Sequence, residues 1–259
     1  MSILPRHYMN AVVSIGTRNG DQVKWFGTGF FIHKRVSETQ VAPFLVTNRH
    51  VFKNRQNVII RLIEHNSHNL KTVDVPLMKD GKPLYVVSED EEIDIAVLRL
   101  NGKYFEDNGF DFLSFDIEGN AMSSQELLSN GVDEGSIVYM LGFPMGLVNI
   151  NSNTPICRMG CIARMSESQI SETKNILVDI QNFPGNSGSP IVTRAEVLSI
   201  EGSKSLNRSV LLGIVHSYIP YQETLINSQT QQVVEIRSEN SGIAKAHPVE
   251  FIRDLVDKL

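Results

Sequence analysis

Short runs rich in Val, Ile and Phe recur along the whole chain, each closed by polar or glycine-containing turn residues. In the first half they are Ala11–Ile15, Trp25–Ile32, Phe44–Thr47, Val58–Ile63, Leu84–Val87 and Ile95–Leu100. In the second half they are Ile137–Leu141, Ile156–Arg164, Ile176–Ile180, Ile191–Val192, Val210–Val215 and Val233–Ile236. Many short runs of β-branched and aromatic residues at this spacing indicate a sandwich or a barrel. A polar stretch, Glu118 to Gly135, separates the two sets and holds a brief helical pattern at Met122–Leu128. After Pro248, the residues Phe251, Ile252, Leu255, Val256 and Leu259 recur at helical spacing. They predict a terminal amphipathic helix packed on the body.

One loop carries chemistry. In Gly185-Asn186-Ser187-Gly188-Ser189-Pro190 a serine lies between two glycines, and apolar Ile191-Val192 follows at once. Glycines on both sides let the backbone turn sharply and leave Oγ and nearby N–H groups facing a substrate. Acyl transfer needs that geometry: one atom attacks a carbonyl and backbone donors receive the developing oxyanion. The same residues also make ordinary turns, so the reading needs a base and an orienting acid elsewhere. His50 ends the apolar stretch Phe44-Leu45-Val46-Thr47-Asn48-Arg49-His50 and is the candidate base. Asp94 differs from its neighbours Glu91 and Glu92 because Ile93 and Ile95 flank it. A buried carboxylate needs a partner, and an imidazole N–H supplies one. Taken singly, each has a plain alternative: a turn serine, a strand-end histidine bonded to backbone, a strand-edge acid.

Four motifs in order carry a family resemblance. They are Gly27-Thr28-Gly29-Phe30-Phe31-Ile32, Val46-Thr47-Asn48-Arg49-His50-Val51, Asp94-Ile95-Ala96-Val97-Leu98 and Gly185 to Pro190. Together they resemble the chymotrypsin-like (trypsin-fold) serine peptidases, in the order His, Asp, Ser. Leu141-Gly142-Phe143-Pro144-Met145-Gly146-Leu147 resembles a stretch of the HtrA-like branch, and the serine motif resembles the glutamyl endopeptidases. The resemblance implies an all-β chain of two antiparallel six-stranded β-barrels with a short C-terminal α-helix. Residues 1–118 would form the first barrel, with His50 and Asp94. Residues 119–135 would link it to the second barrel, 136–259, with Ser187 and the helix. The PDZ module of HtrA enzymes is not expected. The resemblance further implies Ser187 as nucleophile, His50 as general base and then acid, and Asp94 as the group that orients His50. The N–H groups of Gly185 and Ser187 would form the oxyanion hole.

The site departs from the digestive-type members at Asn186. An Asp there pairs with a newly cleaved N-terminus; Asn carries no charge, so activity is not expected to need such trimming. The base of the primary specificity pocket falls near Gln181, where enzymes preferring Lys or Arg place an Asp. Neutral or acidic P1 residues are therefore expected. The substrate-binding strand is expected at Val210–Tyr218, with Val215, His216 and Ser217 beside the substrate. His216 is one residue late for the pocket histidine of glutamyl endopeptidases, which turns it towards Asp94. Ile219 to Asn240 is longer than this connection usually is in the family and is expected to overhang the pocket.

Composition narrows the partners. A net charge of -5 and a pI near 5.8 point to neither nucleic acid nor an anionic membrane surface. No run approaches the ~20 apolar residues of a transmembrane helix, and Ala11–Ile15 is too short for a signal peptide core. A cytoplasmic chain is expected. Cys157 and Cys161 read as small buried hydrophobes rather than a disulfide. His65 and His68 read as part of a polar turn, so no metal and no cofactor is expected. The substrate would be protein or peptide, with room for a regulatory protein partner. Two functions compete: a serine endopeptidase, and a non-catalytic or conditionally inactive peptide-binding module on the same fold.

Overall fold

In a computed structural model of the chain, the described residues are 4–20, 22–65, 67, 69–149, 151–196 and 204–259. The chain is mostly β. In the second half six strands close into a barrel, in the order Ile137–Gly142, Ile156–Arg164, Ile176–Asp179, Val233–Pro248, Leu211–Ile226, Pro190–Thr193. In the first half an eight-stranded sheet runs Leu70–Pro76, Asn57–Ile63, Val12–Asn19, Gln22–Arg35, Val41–Thr47, Ala96–Arg99, Tyr85–Val87. The eighth strand, Phe115–Asp116, pairs in parallel with Gln22–Arg35. Among the described residues no ladder joins the two ends of this path. Leu70–Pro76 has no apolar run to announce it, because only Val75 is buried in it.

Two strands of the first half are buried on both faces, which explains their unbroken apolar sequence. Phe31 and Leu45 point into the core of the first half, beside Ile15, Phe52 and Ile60. Their neighbours Phe30, Ile32, Phe44 and Val46 point the other way, since successive side chains of a strand alternate. That second face packs on Leu141, Phe143, Leu211 and Ile214 of the second half. The terminal helix Glu250–Val256 buries Ile252, Leu255 and Val256 in the same layer, as its spacing predicts. The helix Ser124–Ser129 in the connecting stretch begins with a capping box of Ser123 and Glu126. Glu126 also meets Arg253 of the terminal helix at 3.1 Å.

The cysteines correct an expectation. Both are free thiols; Cys157 is exposed and Cys161 half-buried. Their strand, Ile156–Arg164, fully buries only Ile162, so its apolar residues mostly lie on an outer face. His65 Nδ1 lies 2.6 Å from Asp111 Oδ1, and His68 lies outside the described residues.

Candidate active site

The serine loop is two successive tight turns. Asn186 N–H donates to Phe183 O (3.0 Å), and Gly185, in third place, has φ +97°. Ser189 N–H donates to Asn186 O (2.8 Å), and Gly188, again in third place, has φ +90°. A positive φ at the third residue defines a type II turn, with Pro184 in its favoured second place in the first turn. The two glycines therefore do separate jobs, and Ser187 takes the second place of the second turn, with Asn186 shared between the two. Asn186 is buried beside Gly142, which has no side chain to obstruct it.

The turn type decides where one N–H points. The peptide joining Pro184 to Gly185 presents its carbonyl to Met145 N–H at 2.5 Å. In a trans peptide the N–H points opposite to the C=O. Gly185 N–H is thus aimed away from the loop that binds its carbonyl partner. Among the described residues neither Gly185 N–H nor Ser187 N–H has an acceptor, whereas Gly188 N–H donates to Val215 O (3.0 Å). Two unclaimed donors therefore belong to the serine loop, one the serine's own N–H and one two residues before it.

His50 sits in one helical turn, Arg49–Phe52, just after the strand Val41–Thr47, rather than on the strand end itself. Its Nδ1 lies 2.5 Å from Asp94 Oδ2, and its backbone N–H donates to Asp94 Oδ1 (3.0 Å). The Asp94 segment is held from several sides. Asn48 Nδ2 donates to Asp94 O (2.8 Å), and Arg49 Nη2 donates to Ser88, Asp90 and Ile93 carbonyls at 2.8–2.9 Å. Asp94 N–H donates to His247 Nε2 (3.0 Å), on the second-half strand Val233–Pro248. Burial pushes the Asp94 carboxyl up, but the hydrogen bonds and charge of His50 outweigh it and leave the group below its ordinary range.

The two halves meet at Thr28. Its Oγ1 donates to Gly185 O (2.7 Å) and accepts from Phe143 N–H (3.0 Å). Its N–H donates to Ser187 O (2.9 Å). A first-half strand thereby fixes the serine loop of the second half.

A family model for the trypsin-like peptidase domain matches residues 27–198, a span that holds His50, Asp94 and Ser187. The chain belongs to this family. Among solved structures, this trypsin-like peptidase domain is similar to the HtrA-type protease AlgW with a decapeptide. The two share 17% identity, with a TM-score of 0.49 over 96% of this chain. The chain spans 65% of that protein's length. It is also similar to the MamO protease domain from Magnetospirillum magneticum in its apo form. Identity there is 14% and the TM-score 0.47, over 98% of this chain and 97% of that one. No curated protein matches its sequence.

The remaining candidate residues of the trypsin-like domain fall in two places. Gln181 is exposed, and its Nε2 lies near Gly242. Beside it, Asn182 Nδ2 donates to Ser217 O (2.9 Å), and Asn240 Nδ2 donates to Asn182 O (2.5 Å). Val215 is buried, with its N–H donating to Ser189 O (2.9 Å). His216 stacks on His247 with ring centroids 4.0 Å apart. Its Nε2 lies 2.6 Å from Asn175 Oδ1. Burial, then the neighbouring His247, pushes His216 down to about 3. Burial lowers His247 too, and its Nδ1–H donates to Lys174 O (2.8 Å). His247 carries no sequence signal of its own, because it acts on a residue distant in the chain; Thr28 and Arg49 lie inside two of the family motifs, but their long-range hydrogen bonds do not show there.

Among the described residues no group of three His, Cys, Asp or Glu side chains is placed to hold a metal ion. No helix among them is long and apolar enough to cross a membrane.

Proposed function

We propose that the chain is a serine endopeptidase that hydrolyses peptide bonds in proteins through an acyl-enzyme. The observation that carries this reading is the pair of unclaimed N–H donors, at Gly185 and Ser187, beside the Ser187 hydroxyl. In this reading residues 1–118 and 136–259 are the two barrels, with 119–135 between them. Ser187 Oγ attacks the scissile carbonyl while His50 Nε2 takes its proton. The carbonyl oxygen becomes an oxyanion and accepts from the two N–H groups. His50 then gives the proton to the leaving amine, and the acyl group stays on Ser187. Water repeats the sequence, releases the acid and restores the hydroxyl. Asp94 keeps the resting proton on His50 Nδ1 and stabilises the imidazolium.

Specificity rests on Gln181. An amide bonds a neutral partner or donates to a carboxylate, but cannot neutralise a buried lysine or arginine. A neutral or acidic P1 residue is expected. His216 is engaged with Asn175 and His247, which favours neutral over acidic. Digestion of a peptide library, read by mass spectrometry, tests activity and preference together. Cleavage is expected after neutral residues; dominant cleavage after Lys or Arg overturns the pocket assignment, and an untouched library overturns the peptidase reading.

One observation favours the alternative, a peptide-binding module that is inactive or conditionally active. Among the described residues Ser187 Oγ makes no hydrogen bond, to His50 or to any other group. Catalytic hydrogen bonds are often long without substrate, so this geometry is also that of a resting enzyme.

Gly185→Ala separates the two functions of the loop. A Cβ there meets Phe143 O and Met145 N, and φ +97° is a conformation that only glycine adopts easily. The turn is expected to revert to type I, which rotates the N–H out of the oxyanion position. Loss of one such donor costs about 10²–10³ in kcat. We expect that loss with peptide affinity kept within a few-fold, as measured by steady-state kinetics and by binding to the same variant.

A further inference from the structure

We propose that the strand Leu211–Ile226 offers an extended binding edge, from Ser217 to Ile226, to the part of a substrate N-terminal to the scissile bond. The enzyme would then act on long, extended segments of unfolded protein and poorly on short peptides. The inference rests on the peptidase reading and names its substrate class.

The topology carries the argument. This strand has Val233–Pro248 along one side for its whole length, in pairs that run from Gly213↔Pro248 to Ile226↔Val233. On its other side it pairs with Pro190–Thr193 only at Leu211 to Ile214. The strand then leaves the serine loop at Val215, which exchanges hydrogen bonds with Gly188 and Ser189. Beyond that point no strand neighbours this side among the described residues. A row of backbone groups that no strand covers thus begins beside Ser187 and runs outward; near its base the Ser217 carbonyl is held by Asn182 Nδ2 (2.9 Å) and the Ile219 carbonyl by Ser241 Oγ (2.6 Å). At about 3.3 Å per residue, Ser217 to Ile226 spans ~30 Å.

Natural edges are usually blunted by lysines or other charges, by proline, by bulges or by a covering element, and here the register shifts fall at Val215/Ser217, Tyr218/Pro220 and Leu225/Ile226, which leaves Tyr221 to Thr224 without one. From Ser217 to Ile226 there is no Lys or Arg and one carboxylate, Glu223. Tyr221, Leu225 and Ile226 are exposed. Pro220 lacks an N–H and lies at a register shift, so it adds a further gap near the base of the arm. The outer hairpin is two strands only, exposed almost throughout from Gln222 to Glu239, and an isolated two-stranded hairpin is marginal in water. An added strand completes it, as in other cases of strand addition to a sheet edge.

Direction follows from polarity. The arm runs away from Ser187, and the barrel pairs around it are all antiparallel. An antiparallel occupant runs towards Ser187 and brings its C-terminal end to the serine. The residues along the arm therefore precede the bond to be cut.

The test uses peptides that share one cleavable core and carry three, six or ten residues before the scissile bond. The extensions alternate Thr and Gln. In the full chain kcat/KM is expected to rise about tenfold from three to ten residues, while extension after the scissile bond brings no gain. Replacing Tyr221–Glu239 by Asn-Gly, which joins the paired residues Pro220 and Asn240 through a two-residue turn, is expected to remove the gain. The three-residue peptide should be cleaved as before. Anisotropy of the same peptides on the Ser187→Ala chain is expected to show the same length dependence, and it decides the matter even if no peptide is cut. A ten-residue extension N-methylated at alternate residues leaves the protein untouched and should bind like the shortest peptide. Length-independent binding overturns the proposal, as does a gain that survives removal of the arm. A full chain that sediments as a dimer, and becomes a monomer without the arm, assigns the edge to a second copy and also overturns it. Failure of all peptides to be cut, with length-dependent binding intact, sinks the peptidase reading alone.

Discussion

Ser187→Ala is expected to abolish peptide hydrolysis while leaving the fold and its stability nearly unchanged. The hydroxyl is the atom that forms the acyl-enzyme in the proposed mechanism, so its loss removes the covalent route altogether. A kcat reduced about 10⁶-fold is expected, from the behaviour of serine nucleophiles that act as part of a unit. A residual ~10³–10⁴-fold over water would survive, because the N–H donors at Gly185 and Ser187 remain. Stability should shift by no more than about 0.5 kcal/mol. Ser187 is half-buried and its Oγ bonds nothing, so the substitution strands no buried partner. The backbone that Ser187 gives to the fold, the carbonyl bonded to Thr28 N–H, is unaffected. Initial rates on a peptide substrate and a thermal melt of the same sample check both halves. Undiminished turnover in pure Ser187→Ala protein would end the mechanism.

What could be read from sequence follows a physical line. The serine loop was legible because its geometry is local: a Pro and two Gly at set places make two type II turns, whatever surrounds them. The apolar runs were legible because burial on one or both faces writes itself into the sequence. His50 and Asp94 were legible as motifs, yet the helical turn that holds His50 was not, since four residues carry no periodicity. Nothing local marks His247, because its partner Asp94 is far away in sequence; Thr28 lies inside a family motif, yet its bonds to Gly185 and Ser187 cannot be read there. Of the arm, only Val233–Ile236 reads as a strand in the sequence. Its partner stretch from Tyr221 to Ile226 faces water on both sides, and without a buried face the alternation that betrays a strand does not appear. Cys157 misled for the opposite reason: an apolar-looking strand lies with most of its length on the surface.

Asp94→Asn is expected to lower kcat about 10⁴-fold with the geometry of the site preserved. The carboxylate accepts two hydrogen bonds from His50, the backbone N–H at Oδ1 and the ring Nδ1–H at Oδ2. An asparagine has one oxygen and one NH₂ in their place. The backbone N–H of His50 can only donate, so the amide oxygen must face it. The NH₂ then faces Nδ1, which must give up its hydrogen to accept. The ring proton moves to Nε2, the one atom that has to be free to take the proton of Ser187. The segment itself stays in place, because Asn48 and His247 hold its backbone and not its side chain. Stability carries a second signature with a definite sign. The Asp94 carboxyl is held below its ordinary range, so the unfolded chain binds a proton there more readily than the folded one. Its contribution is complete above about pH 4–5 and is lost as pH falls through the lower folded value. Urea midpoints between pH 6 and pH 3 should therefore fall less steeply in Asp94→Asn than in the unaltered chain. An Asn variant within tenfold of full activity would show that His50 is oriented by some other group.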